Sequence, residues 1–116
     1  MSGDVDAVIK SYSPMSEASL LVLSCLCEER HGYGIMQAIT QETGGRVGLG
    51  AGTVYTILYK MEQDGIIEAV REIDRRKTYR MTDIGRELLY YEYQRIGQLR
   101  DILRQKVDAN MTISKE

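Results

Sequence analysis

The sequence predicts a mainly α-helical chain with one small β-hairpin, an α+β arrangement ending in a long helix. Three observations carry this expectation. Val54, Ile57, Leu58 and Met61 fall at i, i+3, i+4 and i+7, a helical core stripe that Asp64-Gly65 stops. Residues 66–73 and 77–82 alternate with a period of two on either side of a turn, the pattern of a hairpin. Beyond Asp83, Leu89, Ile96 and Leu103 recur every seven residues. Short helix, hairpin and long helix in that order describe a winged helix-turn-helix followed by a C-terminal helix for dimerisation.

Residues 1–12 are polar and lack periodicity, so they read as a loose arm. Ser13-Pro14 offers an N-cap and a proline at the first helical position, and a first helix is expected from there to about Glu29. Its centre, from Leu20 to Leu23 with Cys25 and Leu26, is apolar almost all the way round, whereas a surface helix needs one stripe. That pattern implies burial on two sides, against its own domain and against a partner, with Leu20 and Leu23 as expected partner contacts. His31-Gly32-Tyr33-Gly34 reads as a turn. A second helix follows from about Gly34 to Thr43, with Ile35, Ala38 and Ile39 as its stripe and Gly44-Gly45 as its stop. Residues 46–49 are extended. The third helix spans about Ala51 to Asp64, and the strands Ile66–Ile73 and Lys77–Thr82 are joined by a turn carrying Arg75, Arg76 and Lys77. Thr82 caps a last helix from Asp83 to about Asp108.

At 1.5 Å per residue, roughly 26 residues make a rod about 40 Å long. A compact domain of this size has a radius of gyration of only ~13 Å, so the rod must overhang its own fold. Leu89, Ile96 and Leu103, widened by Tyr93, Leu99 and Val107, then form a seam for a second chain, packed with the apolar first helix in a homodimer. The organisation is an arm (1–12), a winged helix-turn-helix domain (13–82), a dimerisation helix (83–109) and a tail (110–116).

A length of 116 residues allows one domain with a real core. Aliphatic residues and methionine must fill it, because there is no Trp and no Phe; the eight Tyr suit rims and interfaces as readily as interiors. The formal charge of −2 gives no general support to nucleic-acid binding. Its distribution does. Residues 71–80 hold five basic side chains against two acids, a local +3, while residues 1–32 hold five acids against two bases, a local −3. No signal-peptide core, transmembrane run or targeting tail is visible, so the cytoplasm is the expected compartment. Cys25 and Cys27 point about 200° apart on a helix and cannot bridge each other. With His31 they offer three poorly matched ligands where structural zinc wants four, so both are expected to be buried apolar thiols and no metal is expected.

The outward side of the third helix carries Gly52, Tyr55, Thr56, Tyr59, Lys60 and Gln63, hydrogen-bonding groups with no acid among them. In a winged helix-turn-helix this helix enters the major groove and the hairpin lies along the backbone, so double-stranded DNA is the expected partner. An alternative is a winged-helix module for protein–protein contact, because a fold does not fix a function. With one His, no paired carboxylates and no Gly-rich phosphate loop before a Lys, no nucleophile–base set is present; an enzyme and a cofactor are not expected. Tyr90, Tyr91 and Tyr93 read either as dimer packing or as the wall of a ligand site.

The segments HGYGIMQAI (31–39), TGG (43–45), AGTVYTILYKMEQDGII (51–67) and RRKTYRMTDIGRELL (75–89) resemble the PadR family of transcriptional regulators. The resemblance covers about Ser16 to Val107, and the single C-terminal helix is similar to the short subfamily that includes regulators of multidrug transporters. It implies a homodimeric cytoplasmic repressor that binds a palindromic operator and releases it when a small hydrophobic or aromatic effector binds. Carried over by position, the DNA contacts would be Tyr33, then Ala51, Gly52, Thr53, Tyr55, Thr56 and Lys60, then Arg75, Arg76 and Lys77. The effector site at the dimer centre would involve Tyr90, Tyr93, Ile96 and Leu99. Two positions depart from the family pattern. Gly50-Ala51 replaces a frequent Ser-Pro, and Ile96 stands where drug-binding members carry an aromatic ring.

Overall fold

The computed structural model describes residues 2–111. It contains five helices, α1 (Ser2–Tyr12), α2 (Glu17–Ser24), α3 (Gly32–Glu42), α4 (Ala51–Gln63) and α5 (Asp83–Asn110). Three strands, β1 (Arg30–His31), β2 (Ile67–Ile73) and β3 (Arg76–Met81), form an antiparallel sheet in the order β1-β3-β2. The core lies where α2, α3 and α4 meet the sheet and the start of α5, around Val22, Leu26, Ile35, Ile39, Leu58 and Leu88.

The elements from α3 onward follow local signals. Val54, Leu58 and Met61 are buried on one side of α4, with Ile57 half-buried beside them. At the head of α5, Thr82 accepts a hydrogen bond from the Gly85 amide at 3.2 Å, the capping role expected of it. The α5 backbone passes so close to the start of β2 that a Cβ on Gly85 would lie 2.2 Å from the Ile66 carbonyl oxygen. Only glycine fits there.

The amino-terminal part corrects three expectations. The expected arm is helix α1: Val5, Val8, Ile9 and Tyr12 follow the helical i, i+3, i+4, i+7 spacing, and Val8, Ile9 and Tyr12 pack against the core. Ser13 and Pro14 do not start a helix but link two; the capping side chain is Ser16, which accepts from the Ser19 amide at 3.1 Å. The next helix does not reach Glu29. It ends at Ser24, passes through a 3₁₀ turn at Cys25–Cys27, and leaves the chain extended so that Arg30 and His31 pair with Tyr79 and Thr78. The Arg30 Nε–H donates to the freed Cys25 carbonyl at 3.0 Å, which compensates the early ending. Cys25 is buried as expected, but Cys27 is exposed. Of the expected tail, Asn110 still belongs to α5, and residues 112–116 lie outside the described residues.

A buried carboxylate fastens α1 and its linker to α5. Glu92 is fully buried and accepts from the Ser13 hydroxyl at 2.6 Å, the Met15 amide at 2.8 Å, and the Arg95 guanidinium at 2.7 and 2.8 Å. The Arg95 hydrogen bonds, helped by those of Ser13 and Met15 and opposed by burial, hold this carboxyl at about 2 against an ordinary 4.5. Because the folded value lies below the unfolded one, the stabilisation is complete above about pH 4.5 and is lost as pH falls towards 2. In acid titrations of stability the wild type should lose on the order of 3 kcal/mol across that window. Glu92→Gln should be less stable at neutral pH and lose correspondingly less. Parallel curves for the two proteins would remove Glu92 as the cause.

Candidate nucleic-acid interface

At 100° per residue, Gly52, Thr56, Tyr59 and Gln63 form the crest of α4 directly opposite its buried stripe. All four are exposed, and Tyr59 keeps two-thirds of its surface in solvent. Ala51, Gly52 and Thr53 are exposed in the first turn, where Gly50 supplies no side-chain cap. Amides in a first turn are therefore open to an outside acceptor. Thr56 donates its hydroxyl to the Gly52 carbonyl at 2.8 Å, which constrains its rotamer. Tyr55 and Lys60 occupy the two flanks of the crest.

Each flank is tied to a neighbour. Tyr55 lies on the start of α3: a Cβ at Gly32 would come within 2.5 Å of its ring and hydroxyl, so Gly32 is what lets the two helices approach. His31 caps α3, its Nδ1 accepting from the Gly34 amide at 3.1 Å, and its ring stacks on the exposed Tyr33 with centroids 6.4 Å apart. His31 is therefore an architectural residue, but the turn expected at 31–34 is not formed: His31 ends β1 and caps α3, and Gly32, Tyr33 and Gly34 already belong to that helix. On the other flank the Lys60 ammonium donates to Asp64 at 2.9 Å.

The hairpin turn is Asp74-Arg75, both with positive φ (52° and 65°), the two-residue geometry that matches strand twist. Arg76, expected in the turn, is instead the first residue of β3, followed by Lys77, which the expected strand already included. Ion pairs then sort the cations. Arg71 pairs with Glu29 at 2.6 Å, Arg80 with Glu68 at 2.8 Å, and Lys77 approaches Glu62 of α4 at 3.8 Å. Arg75 and Arg76 have no acidic partner among the described residues. The positive charge of the basic segment that has no acidic partner is thus concentrated at the tip, and the Lys77–Glu62 approach links the hairpin to α4.

The α5 rod behaves differently along its length. Leu88 and Glu92 are buried, whereas every residue from Ile96 to Asn110 is exposed. The molecule extends 54 × 36 × 20 Å, and its radius of gyration of 16.3 Å exceeds the ~13 Å of a compact chain of this length, as the length argument requires. Tyr93, Ile96, Leu99, Leu103 and Val107 are exposed, joined by Ile102, which the heptad spacing does not include. Leu20 and Leu89 are half-buried. Leu23 corrects an expectation: it is fully enclosed by its own protomer and presents nothing to a partner. The four residues assigned to an effector site do not converge within one protomer. Tyr90 and Tyr93 line an apolar hollow with Cys27, Met81, Arg86 and Leu89, while Ile96 and Leu99 line a separate shallow groove with Leu103 and Val107.

The Gly32–Tyr55 approach, the Asp64 pairing and the ion pairs of the wing lie beyond what the sequence expectations include. Only the Lys60/Asp64 spacing of four residues gives a local signal.

A helix-turn-helix with a paired hairpin at its side, an acid-free helical crest and two unpaired arginines at the hairpin tip defines a winged-helix DNA-binding protein. Residues 20–90 match the transcriptional regulator PadR-like family, and the chain belongs to that family. Its members are transcriptional regulators and not enzymes. An uncharacterized 37.1 kDa protein of transposon TN4556 from Streptomyces fradiae is 35% identical over 85 residues, 72% of this chain but only 24% of that protein. Among solved structures, a PadR family regulator from Eggerthella lenta superposes with a TM-score of 0.69 at 23% identity, covering 94% of this chain and 93% of that one. A transcriptional regulator from Clostridium thermocellum gives 0.59 at 25% identity, covering 91% and 95%. Among the described residues no helix is long and apolar enough to cross a membrane.

Proposed function

We propose that the chain acts in the cytoplasm as a homodimeric repressor that reads a palindromic operator, with α4 in the major groove and the wing on the flanking backbone. The observation that carries the reading is the pairing of an acid-free crest with two guanidiniums left free at the wing tip, while the neighbouring cations are neutralised. DNA contact is assigned to Tyr33, to Ala51, Gly52, Thr53, Tyr55, Thr56 and Tyr59, to Arg75 and Arg76, and in part to Lys77; Lys60, paired with Asp64, is not counted among these contacts. The dimer is assigned to the exposed α5 seam of Tyr93, Ile96, Leu99, Leu103 and Val107 with Leu20 and Leu89 at its margin. Its support is a stripe of large apolar side chains along half of a rod that nothing among the described residues covers.

Thr56 tests the base readout. Thr56→Ala should relax preference at particular operator positions, by about 1–3 kcal/mol wherever the threonine makes a good base interaction. Binding profiles over single-base operator variants measure this; uniformly lower affinity with unchanged preference would move Thr56 to the backbone-binding set. Release by an effector follows from the same dimer. A ligand shifts DNA binding only through different affinities for the two arrangements, and the meeting of two α5 helices is where the spacing of the recognition helices is set. We assign a flat or phenolic hydrophobe to the slot formed there by Tyr93, Ile96 and Leu99 of both chains, with Tyr90 at its mouth. Ile96→Trp should strengthen binding of planar aromatic dyes by roughly 0.5–1.5 kcal/mol. A folded Ile96→Trp dimer with no gain for any such dye would place the effector elsewhere.

A further inference from the structure

The Lys60 ammonium, on the flank of α4 facing α1, is held by more than an ordinary surface pair. It donates to Asp64 Oδ2 at 2.9 Å, and the same oxygen accepts the Tyr12 hydroxyl at 2.6 Å. The ammonium also stands 5.5 Å from the centroid of the Tyr12 ring, within the range of a cation–π contact. An isolated exposed pair of this kind contributes little, and a lysine four residues before an acid is the weaker order on a helix. Asp64 further sits at the C-terminal end of α4, where the helix dipole disfavours a negative charge. The helix dipole thus opposes the carboxylate and weakens the pair, while the Lys60 ammonium and the Tyr12 hydroxyl orient it. The hydroxyl comes from another helix, 52 residues away in sequence. Tyr12 is itself fixed, because α1 packs through Val8 and Ile9 on the core and its linker is fastened to Glu92.

We propose that Asp64, anchored by Tyr12, withholds Lys60 from DNA phosphates, so that helix α1 sets the affinity of the recognition surface. The inference rests on the DNA-binding reading above. A cation contributes to DNA affinity by neutralising a phosphate and releasing a counterion. While the clamp holds, Lys60 is already neutralised and does neither. A phosphate must compete with Asp64 before the charge counts. Movement of α1 away from α4 breaks the Tyr12–Asp64 bond and makes one further cation available. Tyr12 and Asp64 are therefore positioning residues that act through Lys60 and touch no DNA themselves.

The test uses the full chain and a fluorescein-labelled duplex of mixed sequence, because the phosphate contribution is independent of sequence. Affinity is followed by anisotropy over a salt series, and circular dichroism confirms that each variant is folded. Asp64→Asn should bind roughly fivefold to tenfold more tightly at 0.1 M salt, with the slope of log affinity against log salt steeper by ~0.9. Lys60→Ala should differ little from wild type, and Asp64→Asn combined with Lys60→Ala should return to the wild-type slope. Tyr12→Ala should tighten binding by a smaller factor, and that gain should vanish in the Lys60→Ala background. An unchanged slope in Asp64→Asn overturns the clamp. So does an equal gain without Lys60, which would report only the loss of a negative charge near DNA. An unchanged affinity in Tyr12→Ala overturns the role of α1. A wild type that binds no duplex at any salt contradicts the DNA-binding reading itself and takes the inference with it.

Discussion

Leu99→Asp and Leu103→Asp are each expected to convert the protein to a folded monomer with a loss of operator affinity of roughly 10²–10⁴. Both side chains are half-exposed on the part of α5 that no element among the described residues covers. Neither substitution therefore removes packing that the protomer uses, and its helicity and melting should change little. In the dimer each leucine buries apolar surface worth about 1.5–3 kcal/mol per copy, and both copies are replaced together. An aspartate in the same seam adds the cost of an unpaired buried charge. The DNA effect is larger than any single side chain supplies because a dimer binds its second half-site at a high effective concentration, an advantage of 10² or more that monomers forfeit. Sedimentation velocity at micromolar concentration measures the first effect and a binding isotherm the second. Dimers that survive both substitutions would move the interface away from α5.

Replacing Arg75 and Arg76 with alanine is expected to weaken binding to all DNA sequences about equally. The salt slope should fall by ~0.9 for each phosphate no longer neutralised. Two such phosphates correspond to a loss of roughly 10–100-fold at moderate salt. The wing supplies its own controls, since Arg71 and Arg80 lie in the same hairpin but are paired with Glu29 and Glu68. Alanine at either should leave the slope unchanged, and Lys77→Ala should fall between, because Glu62 stands 3.8 Å from its ammonium. Equal slopes for the Arg75/Arg76 double variant and the wild type would show that the tip does not meet the backbone.

The parts of the fold legible in the sequence are those with local causes. The α4 stripe, the Asp64-Gly65 stop, the hairpin and the Thr82 cap all depend on residues close together in the sequence. The overhang of α5 is legible for a different reason, since length alone forbids its burial. Helix α1 is hard to read although Val5, Val8, Ile9 and Tyr12 are correctly spaced; Asp4 before them and Asp6 and Lys10 among them mask the pattern. Strand β1 is two residues long and exists only because β3 lies beside it, a non-local fact. Leu23 shows the limit of an all-round apolar helix: the pattern says that both sides are covered, not by whom. Glu92 looks like a surface acid on a heptad helix, yet its partners Ser13 and Met15 lie 79 and 77 residues away. The candidate site is legible as a set of residue types, but the free charges are not. The local +3 of residues 71–80 leaves out Glu29, Glu62 and Glu68, whose pairing leaves Arg75 and Arg76 as the wing cations with no acidic partner among the described residues. The effector residues are close in sequence, and the curvature of the helix surface separates them into two places.

Selection of bound duplexes from a random pool by the wild-type chain tests the whole account at once, because it needs DNA binding, dimerisation and two-fold placement of α4 together. A two-fold dimer should enrich inverted repeats whose half-sites are centred one helical turn, ~34 Å, or a multiple of it apart. Enriched sites without two-fold symmetry, or no enrichment at all, would contradict it.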